Sequence, residues 1–122
     1  MSRVLAGLLI TAVVTAATLR ILPWWCGSII ACIVMYILRL APGRAFVAGL
    51  IGVGLAWASL ALWADVQNDS ILSTRIGALF MGMSPALIVL VTALLGGLSG
   101  GLGGITGSML VHRRLGEKPS SA

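Results

Sequence analysis

The basic residues of this chain are placed in step with its apolar segments. Arg3 stands before the first apolar run, Arg39 and Arg44 flank the gap between the second and third, and Arg113, Arg114 and Lys118 follow the fourth. The other two gaps hold only Arg20 and Arg75, the latter close to Asp65 and Asp69. Six of the eight basic residues thus fall on one side of a boundary that the chain crosses repeatedly. Cytoplasmic loops of membrane proteins carry an excess of Lys and Arg. The pattern therefore predicts an all-α integral membrane protein with four transmembrane helices and both termini in the cytoplasm.

Length and composition point the same way. Of 122 residues, 59% are hydrophobic and 9% are charged. A water-soluble domain of this size keeps a large fraction of its surface in solvent, and this sequence has too few polar side chains to cover it. A membrane span takes about 20 apolar residues, so four spans consume nearly the whole chain. They are predicted at residues 4–22, 24–40, 45–64 and 85–111, within one domain over 1–115. A polar tail, residues 116–122, is predicted to be disordered. The net charge of +5 then reads as topology rather than nucleic-acid binding. The lipid bilayer is the first expected partner. The first apolar run continues to Leu19, which favours a retained helix over a cleaved signal peptide. A minimal multi-pass chain of this kind suits a bacterial inner membrane.

Small residues follow helical periods. In the first segment Gly7, Thr11, Thr15 and Thr18 form one stripe. Pro23 is expected to start the second helix, with Trp24 and Trp25 at the outer interface. Ala41-Pro42-Gly43-Arg44 reads as a loop. In the third segment Ala45, Gly49, Gly52, Ala56 and Ser59 make a narrow seam on which a second helix can pack closely. In the fourth, Thr92, Gly96, Gly100, Gly104 and Ser108 recur every four residues, with Ala93, Gly97 and Gly101 beside them and Leu94, Leu98, Leu102, Ile105 and Met109 opposite. Glycine destabilises a helix by about 1 kcal/mol relative to alanine, so the row needs a compensating contact. It resembles the glycine zipper of membrane helices, a packing motif covering this one helix. The resemblance implies close helix contact, either with the third segment or with another copy of the chain.

Between the third and fourth spans lies the one strongly polar stretch before the tail. Asn68 or Asp69 is expected to cap a short helix over 70–82, lying in the outer interface with Leu72, Ile76, Leu79, Phe80 and Met83 on one face. Ser84-Pro85 reads as a cap followed by proline at the first helical position.

Chemistry is sparse. A P-loop needs Lys and then Ser or Thr after its last glycine, and no Lys directly follows Gly107. Proton-coupled transporters carry an ionisable residue within a span, and none of these spans holds one deep inside. Cys26 and Cys32 are six residues apart and point differently on a helix, so they read as small apolar side chains rather than a disulfide. His112 is the single histidine. No catalytic residue, metal ligand or cofactor is assigned. The candidate polar site is the outer cluster of Arg20, Asp65, Asn68, Asp69, Ser73 and Arg75, in which carboxylates and guanidiniums are able to pair.

The leading expectation is an accessory or assembly subunit of a membrane complex, acting by helix–helix association as a homo-oligomer or with other membrane proteins. Gly49, Gly52, Ala56, Ser59, Gly96, Gly100, Gly104 and Ser108 would carry that packing. The alternative is a small oligomeric channel or transporter for a small solute. A weaker one is an enzyme of envelope or lipid chemistry using the outer cluster.

Overall fold

A computed structural model describes residues 2–116. Over these residues the chain is all-helical, with five helices and no strand: α1 (Ser2–Thr18), α2 (Cys26–Leu38), α3 (Pro42–Gln67), α4 (Ile71–Leu79) and α5 (Pro85–Leu115). Two of them, α3 with 26 residues and α5 with 31, are long and apolar enough to cross a membrane. The tail expected to be disordered lies outside the described residues except for Gly116, the left-handed cap that ends α5.

Four helices form the bundle. α5 packs most extensively on α3 and next on α2, while α1 packs on α3 and α2. No packing between α1 and α5 occurs among the described residues, so these two occupy opposite corners. Contacts fix the directions. Gly7 meets Leu38 and Leu40, while Thr15 meets Gly27, so α1 and α2 are antiparallel. Gly54 meets Gly97 and Ala45 meets Gly104, so α3 and α5 are antiparallel too. Ser28 faces Gly103 and Cys32 faces Gly107, so α2 and α5 run parallel.

One end of the bundle therefore gathers Arg3, Arg39, Arg44, Arg113 and Arg114. The other carries Arg20, Asp65, Asp69 and Arg75, whose formal charges cancel.

The helix limits differ from the predicted spans for local reasons. α1 stops at Thr18, and residues 19–25 form successive turns in which Leu22 N–H donates to the Thr18 carbonyl and Cys26 N–H to that of Pro23. Pro23 thus sits before α2 rather than at its start: its carbonyl is held in a turn by Cys26 N–H, and the helix begins only at Cys26. Conversely, Pro42, Gly43 and Arg44 are not loop. Pro42 occupies the first turn of α3, where it has no hydrogen bond to lose and its fixed φ suits a helix. The connection shrinks to residues 39–41, with Arg39 in the left-handed region (φ 52°) closing α2.

Side-chain size is distributed inside out. Met35, Val53, Thr11, Thr15 and Ser108 are the largest wholly buried side chains. Leu94, Leu98, Leu102 and Met109 of α5 are roughly half exposed or more. Close backbone approach seals the α3–α5 and α2–α5 contacts, while Val34, Met35 and Leu40, with Val4, Leu8, Ile30 and Leu38 against them, fill the core at the basic end.

Candidate functional site

The glycine rows set that approach. A Cβ added at Gly97 would lie 2.8 Å from the Leu50 carbonyl oxygen, and one at Gly100 would lie 2.5 Å from that of Gly49. Gly96 lies against the Trp57 ring, Gly101 against Phe46 and Gly104 against the Ala45 carbonyl. Gly52 takes the other side of α3 and faces Leu8 and Thr11 of α1. The small residues of α3 therefore serve two partners. Ala56 is buried with them, whereas Ser59 is exposed and donates to the Leu55 carbonyl (2.7 Å), leaving the seam. Gly103 and Gly107 were not singled out in the sequence. They form a second small face of α5, against the Ser28 and Cys32 carbonyls of α2. Their four-residue spacing is a signal in the sequence, but it runs beside the longer row of Gly96, Gly100 and Gly104.

The stripe on α1 divides. Thr11 and Thr15 are wholly buried, and the Oγ1 of each has no hydrogen-bond partner. Trp57 Nε1 shares that condition. Elsewhere the helix hydroxyls turn back on their own backbone: Thr18 to Val14, Thr92 to Ile88 and Thr106 to Leu102. The methyl groups of Thr11 and Thr15 instead pack toward Gly52 and Gly27.

The polar cluster at the charge-neutral end is divided as well. Asp65, at the end of α3, accepts hydrogen bonds from the hydroxyls of Ser70 (2.9 Å) and Ser73, and its own carbonyl accepts from Ser70 N–H. Ser70 caps α4 in a left-handed conformation (φ 56°), next to Asp69 (φ 50°). Two consecutive non-glycine residues there are strained by about 1–3 kcal/mol each. The Asp65 carboxylate beside the first turn of α4 offsets part of this, since that end of a helix favours negative charge. Capping by the Asn68 or Asp69 side chain, expected from the sequence, is replaced by this longer reach. Arg20 does not turn to a carboxylate; its guanidinium lies over the Trp63 ring, 4.7 Å from the centroid. Asp69 and Arg75 stand exposed on the surface.

α4 is shorter than predicted. It ends at Leu79, because the Gly77 carbonyl accepts from Phe80, Gly82 and Met83 N–H and turns the chain. Ser73 and Gly77 face inward, while Leu79, Phe80 and Met81 are exposed. Under α4 a cleft of about 160 Å³ opens between the ends of α3 and α5. Asp65, Asn68, Ser73 and Thr92 are its polar lining; the rest is apolar. A second groove, of about 330 Å³, runs along the outside of the α3–α5 pair. Gly54, Ala58, Ala93 and Gly97 line it together with Leu50, Leu55, Leu90 and Leu98, and every lining residue is apolar.

Among the described residues no three His, Cys, Asp or Glu side chains gather in one place, and both cysteines are free thiols. No protein-family model matches the chain, and neither a curated protein nor a solved structure is significantly similar to it.

Proposed function

We propose that the chain is a four-span protein of a bacterial inner membrane, with both termini cytoplasmic, that acts by helix–helix association as an accessory or assembly subunit. Three features support a bilayer as its solvent. α3 and α5 are long and apolar enough to span it. The large apolar side chains point outward while glycine, alanine and threonine pack inside, the arrangement favoured where lipid rather than water surrounds the helices. The basic end and the charge-neutral end match the asymmetry that orients membrane chains. α1 and α2, with 17 and 13 residues, are short for spans. At 1.5 Å per residue they reach about 26 and 20 Å, and the exposed turn at 19–25, with Trp24 and Trp25, belongs to the interface rather than to the hydrocarbon core.

The observation that carries the association reading is the groove outside α3 and α5. Within the chain, Gly49 and Gly100 are already occupied with each other. Gly54 and Gly97 are likewise buried against each other at the floor of the groove, while above them the groove, walled by Ala58, Ala93 and the leucines, remains open and wholly apolar. Small residues in such a groove let another helix approach closely. Tryptophan at Ala58 would fill the groove from outside without entering the α3–α5 backbone contact. We expect Ala58→Trp to keep its helical content and to lose its higher-mass species, or its co-purifying partner, in mild detergent. An unchanged assembly would remove the reading. A carboxyl-terminal label reached by a membrane-impermeant reagent in intact cells would remove the topology.

A second reading, a channel or transporter for a small polar solute, draws on Thr11 Oγ1, Thr15 Oγ1 and Trp57 Nε1, which are buried and free to bind. It expects flux in liposomes containing this protein alone, reduced in Thr15→Val. The absence of flux for any tested ion or polyol would dismiss it.

A further inference from the structure

At the basic end, α2 and α5 finish side by side. Tyr36 of α2 and Leu110, Arg113 and Arg114 of α5 line an open surface cleft of about 500 Å³. Arg114 Nη1 donates to the Tyr36 hydroxyl at 3.1 Å. That bond uses the phenol as an acceptor and leaves its own proton available to a ligand. It also holds one guanidinium over the cleft, while Arg113, one residue earlier, lines the same cleft. The two aspartates of the described residues lie at the opposite end of the bundle. The last turns of α2 and α5 each contribute about half a negative charge, which two guanidiniums outweigh.

We propose that this cleft binds the phosphate of an anionic phospholipid. Arg113 and Arg114 would pair with the phosphate oxygens, and the Tyr36 hydroxyl would donate to one of them. Guanidinium forks match the geometry of phosphate. The surface next to the cleft distinguishes a lipid from a soluble phosphate. Leu110 forms the apolar wall; exposed residues continue from it at four-residue steps on α5, Thr106 and Leu102, and from Tyr36 at steps of three and four on α2, Ile33 and Ile29. An acyl chain lying on that surface would bring its headgroup to the arginines. The site rests on the membrane reading, which places these residues at the headgroup level.

The test uses the full chain reconstituted in phosphatidylcholine vesicles containing a minority of phosphatidylglycerol. Flotation with the vesicles reports insertion. Native mass spectrometry after extraction in mild detergent reports which lipid is retained. Wild type should retain phosphatidylglycerol in preference to phosphatidylcholine, and excess glycerol phosphate should not displace it. Arg113→Gln/Arg114→Gln should lose the preference by about 30-fold, equivalent to ~1 kcal/mol for each charge. Tyr36→Phe, which keeps every charge, should lose about fivefold through one hydrogen bond. Arg3→Gln/Arg44→Gln removes as much charge from the same end but away from the cleft, and should retain the preference. Equal loss in both double variants would mean a diffuse basic surface and overturn the site. So would unchanged retention in Arg113→Gln/Arg114→Gln, or displacement by glycerol phosphate. A chain that floats without lipid preference refutes the site alone, whereas one that does not float refutes the membrane reading and the site with it.

Discussion

The Ser108 hydroxyl of α5 donates to the Leu40 carbonyl in the α2–α3 connection, and both residues are buried. The connection is short because Arg39 turns the chain in the left-handed region immediately after α2. Its carbonyl would face the bundle interior without a donor if α5 did not supply one. Ser108 is thus at once a small residue in the packing row and the hydrogen-bond partner of a loop 68 residues away in sequence. Ser108→Ala should destabilise the chain by about 1–3 kcal/mol, the usual result of leaving a buried acceptor unpaired. Thermal unfolding in detergent, followed by circular dichroism, should show a lower midpoint. An unchanged midpoint would mean that the loop finds another donor.

Glycines in the same chain should differ sharply in tolerance. A Cβ at Gly100 would come within 2.5 Å of both the Gly49 oxygen and Val53, whereas one at Gly43 meets nothing within 4 Å. Gly100→Leu should separate α3 from α5 and abolish the folded species in detergent. Gly43→Ala should be neutral or stabilise by up to about 1 kcal/mol, since it only restricts the unfolded chain. Gly103→Leu should be as damaging as Gly100→Leu, through α2. The three variants can be compared by size-exclusion profile and melting midpoint, and similar behaviour of all three would refute the assigned contacts.

Removing two hydroxyls should not harm the fold. Thr11 and Thr15 are wholly buried, and neither Oγ1 is hydrogen-bonded. Valine keeps the shape and removes the desolvated oxygen. Thr11→Val and Thr15→Val should therefore leave stability unchanged or raise it by about 1 kcal/mol each. A marked loss of stability would show that these oxygens are satisfied in the membrane. Loss of flux without loss of stability would favour the conduction reading.

α4 should depend on one carboxylate. Asp65 accepts from Ser70 and Ser73, and few other contacts tie α4 to the bundle. Asp65→Ala should speed amide exchange across 71–79 by about tenfold, the equivalent of a lost charge-assisted hydrogen bond of ~1.4 kcal/mol. Exchange in the middle of α5 should not change. Equal acceleration in both places would make Asp65 a determinant of the whole bundle instead.

Much of the helix pattern was legible from local signals. Ser84 and Pro85 start α5 as their residue types suggest, and the Ser84 side chain accepts from Leu87 N–H. The small-residue rows were legible because a four-residue repeat of glycine has few uses besides close contact. Helix ends were less so. Pro42 reads as a chain breaker in a string of letters, yet it begins a helix, because the same fixed φ serves a turn and a first helical turn equally. Arg20 and Asp65 fall at one end of the bundle but do not pair with opposite charges. An aromatic ring and two hydroxyls lay nearer to them than the opposite charges did.

The sequence by itself determined that the chain is helical, that its helices carry small faces, and where its charges fall relative to its apolar runs. These depend on the order of residues along one helix or one turn. Which small face meets which helix was decided only by the tertiary structure. Gly52 goes to α1, Gly49 to α5, and Gly103 and Gly107 to α2. Faces without side chains carry almost no recognition of their own, so their pairing is settled by how four helices of unequal length and fixed direction can close around one another.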